Sequence, residues 1–156
     1  MGLPFLPVRG HAGSGYLKIR PDWLTVVDPY SDRKVLVVPA IKPDFCLLHA
    51  YFGDDEGNVL MDRTSDSELA AKGAGLTVVS VEERAGDLEA VRGPQMKRLS
   101  GFHVDYLVQA PGGAAPTACP GRYALDEAYL KDYLAAAQAG RLADWLQARV
   151  LNGEEQ

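Results

Sequence analysis

Short apolar runs separated by turn-forming residues fill the first two thirds of the chain, and a helical period takes over in the last third. The runs at 24–27, 34–38, 45–51 and 76–81 are rich in branched and aromatic residues and predict strands. The first two are joined by a polar turn at 28–33, where Pro29 favours the bend. VLVV and FCLLHAYF are almost continuously apolar, as in strands covered on both faces. A further strand at 104–109 places Val104, Tyr106 and Val108 on one face. Between these runs, Ser65 and Glu68 have the spacing of a capping box, and Gly73 can end the short helix they open at its C-prime position. That helix delivers the chain to GLTVVSVEE, with Glu82 and Glu83 at the carboxyl end of the strand. Asp126 caps a helix in which Tyr129, Leu130, Tyr133, Leu134 and Ala137 recur at helical spacing; Gly140 interrupts it, and Leu142, Trp145, Leu146 and Val150 line a second helical stretch.

The expected architecture is α/β, an open mixed and mainly parallel sheet with flanking helices, in a single domain over 1–156. The Gly- and Pro-rich opening segment carries no clean period and reads as a structured loop or a first strand. Its Phe5, Leu6 and Val8 need a surface that removes them from water, supplied either by this domain or by another chain.

With 156 residues, a domain buries roughly 70% of the surface its unfolded chain exposes. A hydrophobic content of 47% and a charged content of 24% are those of a globular protein and argue against disorder. No apolar run reaches the ~20 residues needed to cross a bilayer, and MGLPFLPVRG lacks the apolar core of a secretory signal, so a cytoplasmic location is expected. Net charge is −5, and the basic residues are scattered apart from Lys97 and Arg98, which argues against nucleic acid as a partner. Cys46 and Cys119 lack any CxxC spacing, so no disulfide and no thiolate metal site is expected; Cys46 reads as a small buried hydrophobe.

Candidate chemistry is concentrated in three places. The first is the loop Arg9-Gly10 with Gly13-Ser14-Gly15, which lacks both a P-loop lysine and a dinucleotide fingerprint; it reads either as a structural turn or as carboxylate or phosphate recognition by Arg9, assisted by Ser14 and local amides. The second is His49 within CLLHAYF, either a satisfied core residue or a group that orients a carboxylate or donates to a carbonyl; His11 and His103 offer no metal-site spacing with it. The third is GDDEGN, where Asp54 brings carboxylate and Gly57 and Asn58 bring turn geometry, either a solvated hairpin or the rim of a site; calcium-loop ligand spacing is absent. Glu82 and Glu83 read either as nucleophile or acid candidates or as ion-pair partners of Arg84 or Arg92.

In order along the chain, GLPFLPVRGHAGSG, VVDPYSDRKVLVVPAIKPDFCLLHAYFGDDEGNV, GLTVVSVEE and PGGAAPTACPGRYALDEAYLKDY resemble the later part of the α (A) subunit of glutaconate-type, family I coenzyme A transferases, with the PAIKPDFCLLHAYFGDDEGNV block the most specific. The resemblance implies a coenzyme A transferase-like fold. It also implies a B-type subunit partner whose glutamate attacks an acyl-CoA thioester through anhydride and glutamyl-thioester intermediates. Coenzyme A thioester is then substrate, and no permanently bound cofactor is expected. The partner's SENG-like context is absent from this chain, so Glu82 and Glu83 do not inherit the nucleophile's role.

The family's N-terminal Gly-Gly-Phe pattern is also missing, and the resemblance places Met1 near the middle of the usual α chain: the protein is a short subunit, one part of a split protein, or a chain whose start is assigned too late. A family-like GSD is here Gly13-Ser14-Gly15, without the carboxylate, and a GAHP-like loop is Gly113-Ala114-Ala115-Pro116, without the imidazole. The expected function is an α-type subunit of a heteromeric coenzyme A transferase acting on small carboxylic acids and acyl-CoA, inactive alone. A hydrolase on the same scaffold, or a noncatalytic structural subunit, is the alternative. Arg9, Gly10, Ser14, His49, Asp54, Gly57 and Asn58 are the residues expected to bind substrate or shape the site, and a homo-oligomer is a further possible assembly.

Overall fold

The computed structural model describes residues 3–10 and 13–152, and its contacts divide the chain into two compact units. His11 lies outside the described residues. The first unit comprises Met1–Cys46 and Asp66–Thr77, and the second Leu47–Ser65 and Val78–Gln156.

In the first unit, β1 (Phe5–Val8), β2 (Leu24–Val27) and β3 (Lys34–Pro39) form a sheet in the order β1-β3-β2. Both pairings are antiparallel, with Val8 opposite Leu36 and Val27 opposite Lys34. The polar turn expected at 28–33 closes through Asp28. Its amide donates to the Arg33 carbonyl at 2.9 Å, and its carboxylate accepts from the Tyr30 amide and the Ser31 hydroxyl. Phe5 and Leu6 are 48% and 56% exposed on β1, so packing on this chain does not take them out of water. Two short helices complete the unit, α1 (Tyr16–Ile19) and α2 (Ser67–Gly73). The helix opens one residue later than the capping-box spacing places it: Asp66 stands at the N-cap, and the Ser65 amide donates to the Asp62 carbonyl. Nor does Gly73 adopt a C-prime conformation; it is the last helical residue, and Ala74 turns the chain into extended geometry at ψ 155°.

The second unit is built on a five-stranded sheet of β4 (Phe45–Gly53), β5 (Val59–Asp62), β6 (Leu76–Arg84), β7 (Met96–Leu99) and β8 (Tyr106–Gln109), ordered β7-β5-β4-β6-β8. This is the α/β mixed sheet with flanking helices that the sequence predicts. β6 and β8 pair parallel, whereas β4 and β5, joined by the 54–58 hairpin, and β5 and β7 pair antiparallel. The strands β5 and β7, too short to stand out as apolar runs, were not expected from the sequence.

Burial explains the strand order. Residues 50–53 of β4 and 59–61 of β5 are buried at consecutive positions, as in strands covered on both faces. On β6 the pattern alternates: Thr77, Val79 and Val81 are fully buried, and Ser80 and Glu82 share the opposite face. Val59, Leu60, Val79 and Val81 are completely inaccessible, each worth about 1.5–3 kcal/mol in apolar transfer. A second cluster of Tyr51, Phe52, Leu60, Leu88, Met96 and Cys119 closes around α3 (Leu88–Val91), whose Asp87 N-cap accepts from the Glu89 amide.

Asp126 caps α4 (Glu127–Gln138) as expected, accepting from the Tyr129 amide at 2.9 Å. Gly140 reverses the chain at φ +68° into α5 (Leu142–Leu146). The aromatics of the helical pattern meet one another. Trp145 packs edge-on against Tyr129 and Tyr133, and its indole N–H donates to Asp132 at 2.6 Å.

Candidate active site

Period-two alternation on β6 puts the Ser80 and Glu82 side chains on one face, ~7 Å apart along the strand. The neighbouring strand β4 presents His49 to both. Its Nδ1 lies 2.9 Å from Ser80 Oγ, and its Nε2 lies 2.6 Å from Glu82 Oε1. Glu82 is 8% exposed, and three donors converge on it. Besides His49, the Tyr123 hydroxyl donates to Oε1 at 2.7 Å and the Gly112 amide donates to Oε2 at 3.0 Å. Tyr123 is itself fixed, since the Ala114 amide donates to its hydroxyl at 3.0 Å.

The electrostatics follow from these contacts. Burial pushes the Glu82 carboxyl upward, but the Tyr123 hydroxyl, the Gly112 amide and His49 outweigh burial and hold it below its ordinary value. Tyr123 responds in the opposite sense: burial, and then donation to Glu82, pushes its phenol up to about 12. An ionised Glu82 only accepts, so His49 carries its hydrogen on Nε2. At Nδ1 two arrangements are open. Either Ser80 donates to the ring and the imidazole is neutral, or Ser80 donates to the Leu48 carbonyl, 3.3 Å away, and Nδ1–H donates to Ser80 as imidazolium.

His49 borders a cavity of about 220 Å³ whose wall also includes Tyr51, Asp62, Ala114, Cys119 and Pro120. The Tyr51 hydroxyl donates to Asp62 at 3.2 Å, and burial followed by the Asp62 charge pushes it up to about 12. The cavity is smaller than a drug-sized pocket, yet it has the room of several waters and suits a group of a few carbons. His49, Glu82 and Cys119 also place potential metal-ligand atoms within 4.8 Å of one another. To bind an ion there, the 2.6 Å His49–Glu82 bond would have to open and a thiol pushed up by burial and by Glu82 would have to ionise. The donor set as it stands is closed by hydrogen bonds.

The residues singled out from sequence separate into distinct places. Arg9 and Gly10 follow β1 and line a cleft of the first unit with Asp28, Arg33 and Lys34. Ser14 does not join them there; its Oγ accepts from the Tyr16 amide at the start of α1. Asp54, Gly57 and Asn58 come together in the β4–β5 hairpin. Asp54 accepts from the Glu56 and Asn58 amides and from Asn58 Nδ2, and Asn58 Oδ1 accepts from the Gly101 amide at 3.0 Å. Gly57 has the positive φ, +82°, that the turn requires. These side chains hold the hairpin to the 3-10 turn Gly101–His103 and are absent from the wall of the His49 cavity.

Glu82, weighed from sequence as a nucleophile or acid candidate, together with Ser80, Tyr123 and Cys119, was not among the residues expected to bind substrate or shape the site. For the first two a signal exists: two polar residues at period two within an apolar strand next to a histidine-bearing strand. Tyr123 has none, because the loop that returns it to Glu82 carries no local pattern. Glu83, the neighbour of Glu82, pairs with Arg122 at 3.1 Å instead.

No family model matches the chain. Over 151 residues it is 33% identical to the A subunit of glutaconate CoA-transferase from Acidaminococcus fermentans, covering 85% of this chain and 47% of that protein. It is 31% identical over 163 residues to the cholesterol ring-cleaving hydrolase IpdA subunit of Rhodococcus jostii, covering 98% of this chain and 55% of that one. Among solved structures, a variant of the decarboxylase AibA/AibB superposes with a TM-score of 0.81 at 40% identity, over 94% of this chain and 53% of its own. Glutaconate coenzyme A-transferase from A. fermentans superposes with a TM-score of 0.82 at 27% identity, over 98% of this chain and 54% of its own. The chain thus spans about half the length of these relatives. It has the α/β mixed-sheet fold of the family I coenzyme A transferases and is a protein related to, and resembling, their A-type subunits.

Proposed function

We propose that this chain is the α-type subunit of a heteromeric enzyme acting on acyl-CoA thioesters of small carboxylic acids, and that a B-type partner supplies the nucleophilic glutamate. The observation that carries this reading is the state of Glu82. Both of its oxygens are engaged by donors, its burial is nearly complete, and its charge is stabilised. A carboxylate in that condition is a weak nucleophile toward a thioester and an effective anchor for an imidazole. His49, fixed on Glu82 at the wall of a cavity of about 220 Å³, then positions or polarises a small acyl group, and the attacking carboxylate comes from outside this chain.

The test is to purify the chain with a B-type subunit and supply acyl-CoA with and without a free carboxylic acid. Acceptor-dependent exchange of CoA supports the transferase. The chain alone is expected to be inactive. Turnover by the pair that persists after the partner's glutamate is replaced would sink the reading.

A second reading, a hydrolase on the same scaffold, is favoured by the His49–Ser80 contact, since an imidazole released from Ser80 could take a proton from water. It predicts acceptor-independent thiol release or ring opening. Absence of turnover in every combination, with partner stability dependent on this chain, would instead mark a noncatalytic structural subunit.

A further inference from the structure

The first unit carries a cationic cleft that the acyl-group chemistry does not use. It has a volume of about 560 Å³, within the usual range for small-molecule sites, and its wall includes Arg9, Gly10, Asp28, Arg33 and Lys34 over an apolar floor that includes Leu36. Three cations face one carboxylate there, in a chain whose net charge is −5. Among the described residues none of the three cationic side chains makes an ion pair. Asp28, the one carboxylate in the wall, accepts from the Tyr30 amide and the Ser31 hydroxyl within its own turn.

Local structure explains why the charges gather. Asp28 closes the β2–β3 turn, and that turn delivers Arg33 and Lys34 in succession to the start of β3. The antiparallel register pairs Val8 with Leu36, so the chain leaving β1 brings Arg9 and Gly10 alongside the same end of β3. Gly10 has φ +104°, and a Cβ there would meet open space, so the backbone conformation alone calls for glycine and leaves the rim bare beside Arg9. Two guanidinium groups and an ammonium group around an apolar floor are donors without acceptors, the recognition chemistry of a phosphorylated nucleotide.

We propose that this cleft binds the phosphates of the nucleotide end of coenzyme A, with Arg9, Arg33 and Lys34 as the phosphate ligands. The identity of the nucleotide rests on the acyl-CoA reading above; the anion site rests on the cleft alone.

The experiment is calorimetric titration of the 156-residue chain with adenosine 3′,5′-bisphosphate at low ionic strength, with inorganic pyrophosphate as a second probe. The bisphosphate is expected to bind, and Arg33→Ala and Lys34→Ala are each expected to weaken it about tenfold, the loss of one charge-assisted contact. Added salt weakens it further. Lys131→Ala, which removes an exposed lysine paired with Glu127 on α4, leaves it unchanged. All three positions are solvent-exposed, so circular dichroism of the variants is expected to match the parent. Absence of binding, or binding indifferent to Arg33 and Lys34, overturns the site. Equal affinity for pyrophosphate overturns the nucleotide assignment. Because the readout is binding and not turnover, loss of this site alongside retained acyl-CoA turnover leaves the functional reading intact, and the converse result separates the two as well.

Discussion

His49 Nε2 and Glu82 Oε1 meet at 2.6 Å between neighbouring strands, and both side chains are largely withdrawn from water. Replacing Glu82 by Gln keeps the shape and removes the charge. An amide also turns one N–H₂ toward a donor, either His49 Nε2–H or the Gly112 amide. The expected cost is about 1–3 kcal/mol of stability, the range for leaving a buried polar group without its partner. Chemical denaturation of Glu82→Gln against the parent measures it. In the proposed complex with a B-type subunit the same variant is expected to lower turnover, because the imidazole loses its charged anchor.

The pH dependence follows from the directions of the shifts. Glu82 is held below its ordinary value of 4.5, so its contribution is fully present above the unfolded pKa and disappears as pH falls through the lower folded value. The stability gap between the parent and Glu82→Gln is therefore expected to be constant near neutrality and to close in acid. Tyr123 behaves oppositely. Its folded value, pushed up from 10 to about 12, gives a contribution present below pH 10 and lost as pH rises through about 12. Ultraviolet titration is expected to show two tyrosines, Tyr51 and Tyr123, ionising only near pH 12. A Tyr123→Phe variant that still shows both late titrations would refute the assignment.

The strands that sequence revealed are those with several branched residues in succession. The ranges 24–27, 34–38 and 76–81 agree closely with β2, β3 and β6. β5 and β7 escaped because four residues such as MKRL carry no period of their own and become a strand only by pairing, β7 on β5 and β5 on β4. The site was legible in the same uneven way. His49 was visible as a polar residue in an apolar run, but its partner Glu82 stands 33 positions away and looked like a charge emerging from a strand end. The sheet order that brings β4 beside β6 is a tertiary fact. The acidic turn drew notice by composition, and its hydrogen bonds are local: Asp54 and Asn58 bond within the hairpin and to Gly101.

That local bonding predicts a structural phenotype. A Cβ built on Gly101 would overlap the Glu56 carbonyl oxygen and lie 2.9 Å from the Gly57 carbonyl carbon, and backbone cannot step aside as a flexible side chain can. Gly101→Ala is expected to destabilise by at least about 1–3 kcal/mol, the cost of overpacking a fitted site. Asn58→Val removes the bond to the Gly101 amide and the one to Asp54, and places a branched side chain in the turn. Both variants are expected to lower the midpoint of thermal unfolding. Neither is expected to change the KM of whatever folded complex remains. A specific KM effect with unchanged stability would return this turn to the active site.

Gly113 gives the test that joins the loop to the imidazole. A Cβ at this position would stand 2.8 Å from the Ala110 carbonyl oxygen and 3.0 Å from both Nδ1 and Cε1 of His49. The ring cannot swing clear freely, since Ser80 and Glu82 hold its two nitrogens. Gly113→Ala therefore either displaces the loop, which carries the Gly112 amide to Glu82, or twists His49 out of its hydrogen bonds. Each route costs about 1–3 kcal/mol and disturbs the same network. The histidine ring resonances report it directly: in Gly113→Ala the His49 signals are expected to shift and those of His103 to stay in place. A variant with unshifted His49 resonances and full stability would show that the loop does not press on the ring, and the loop would then have no part in setting the imidazole's orientation.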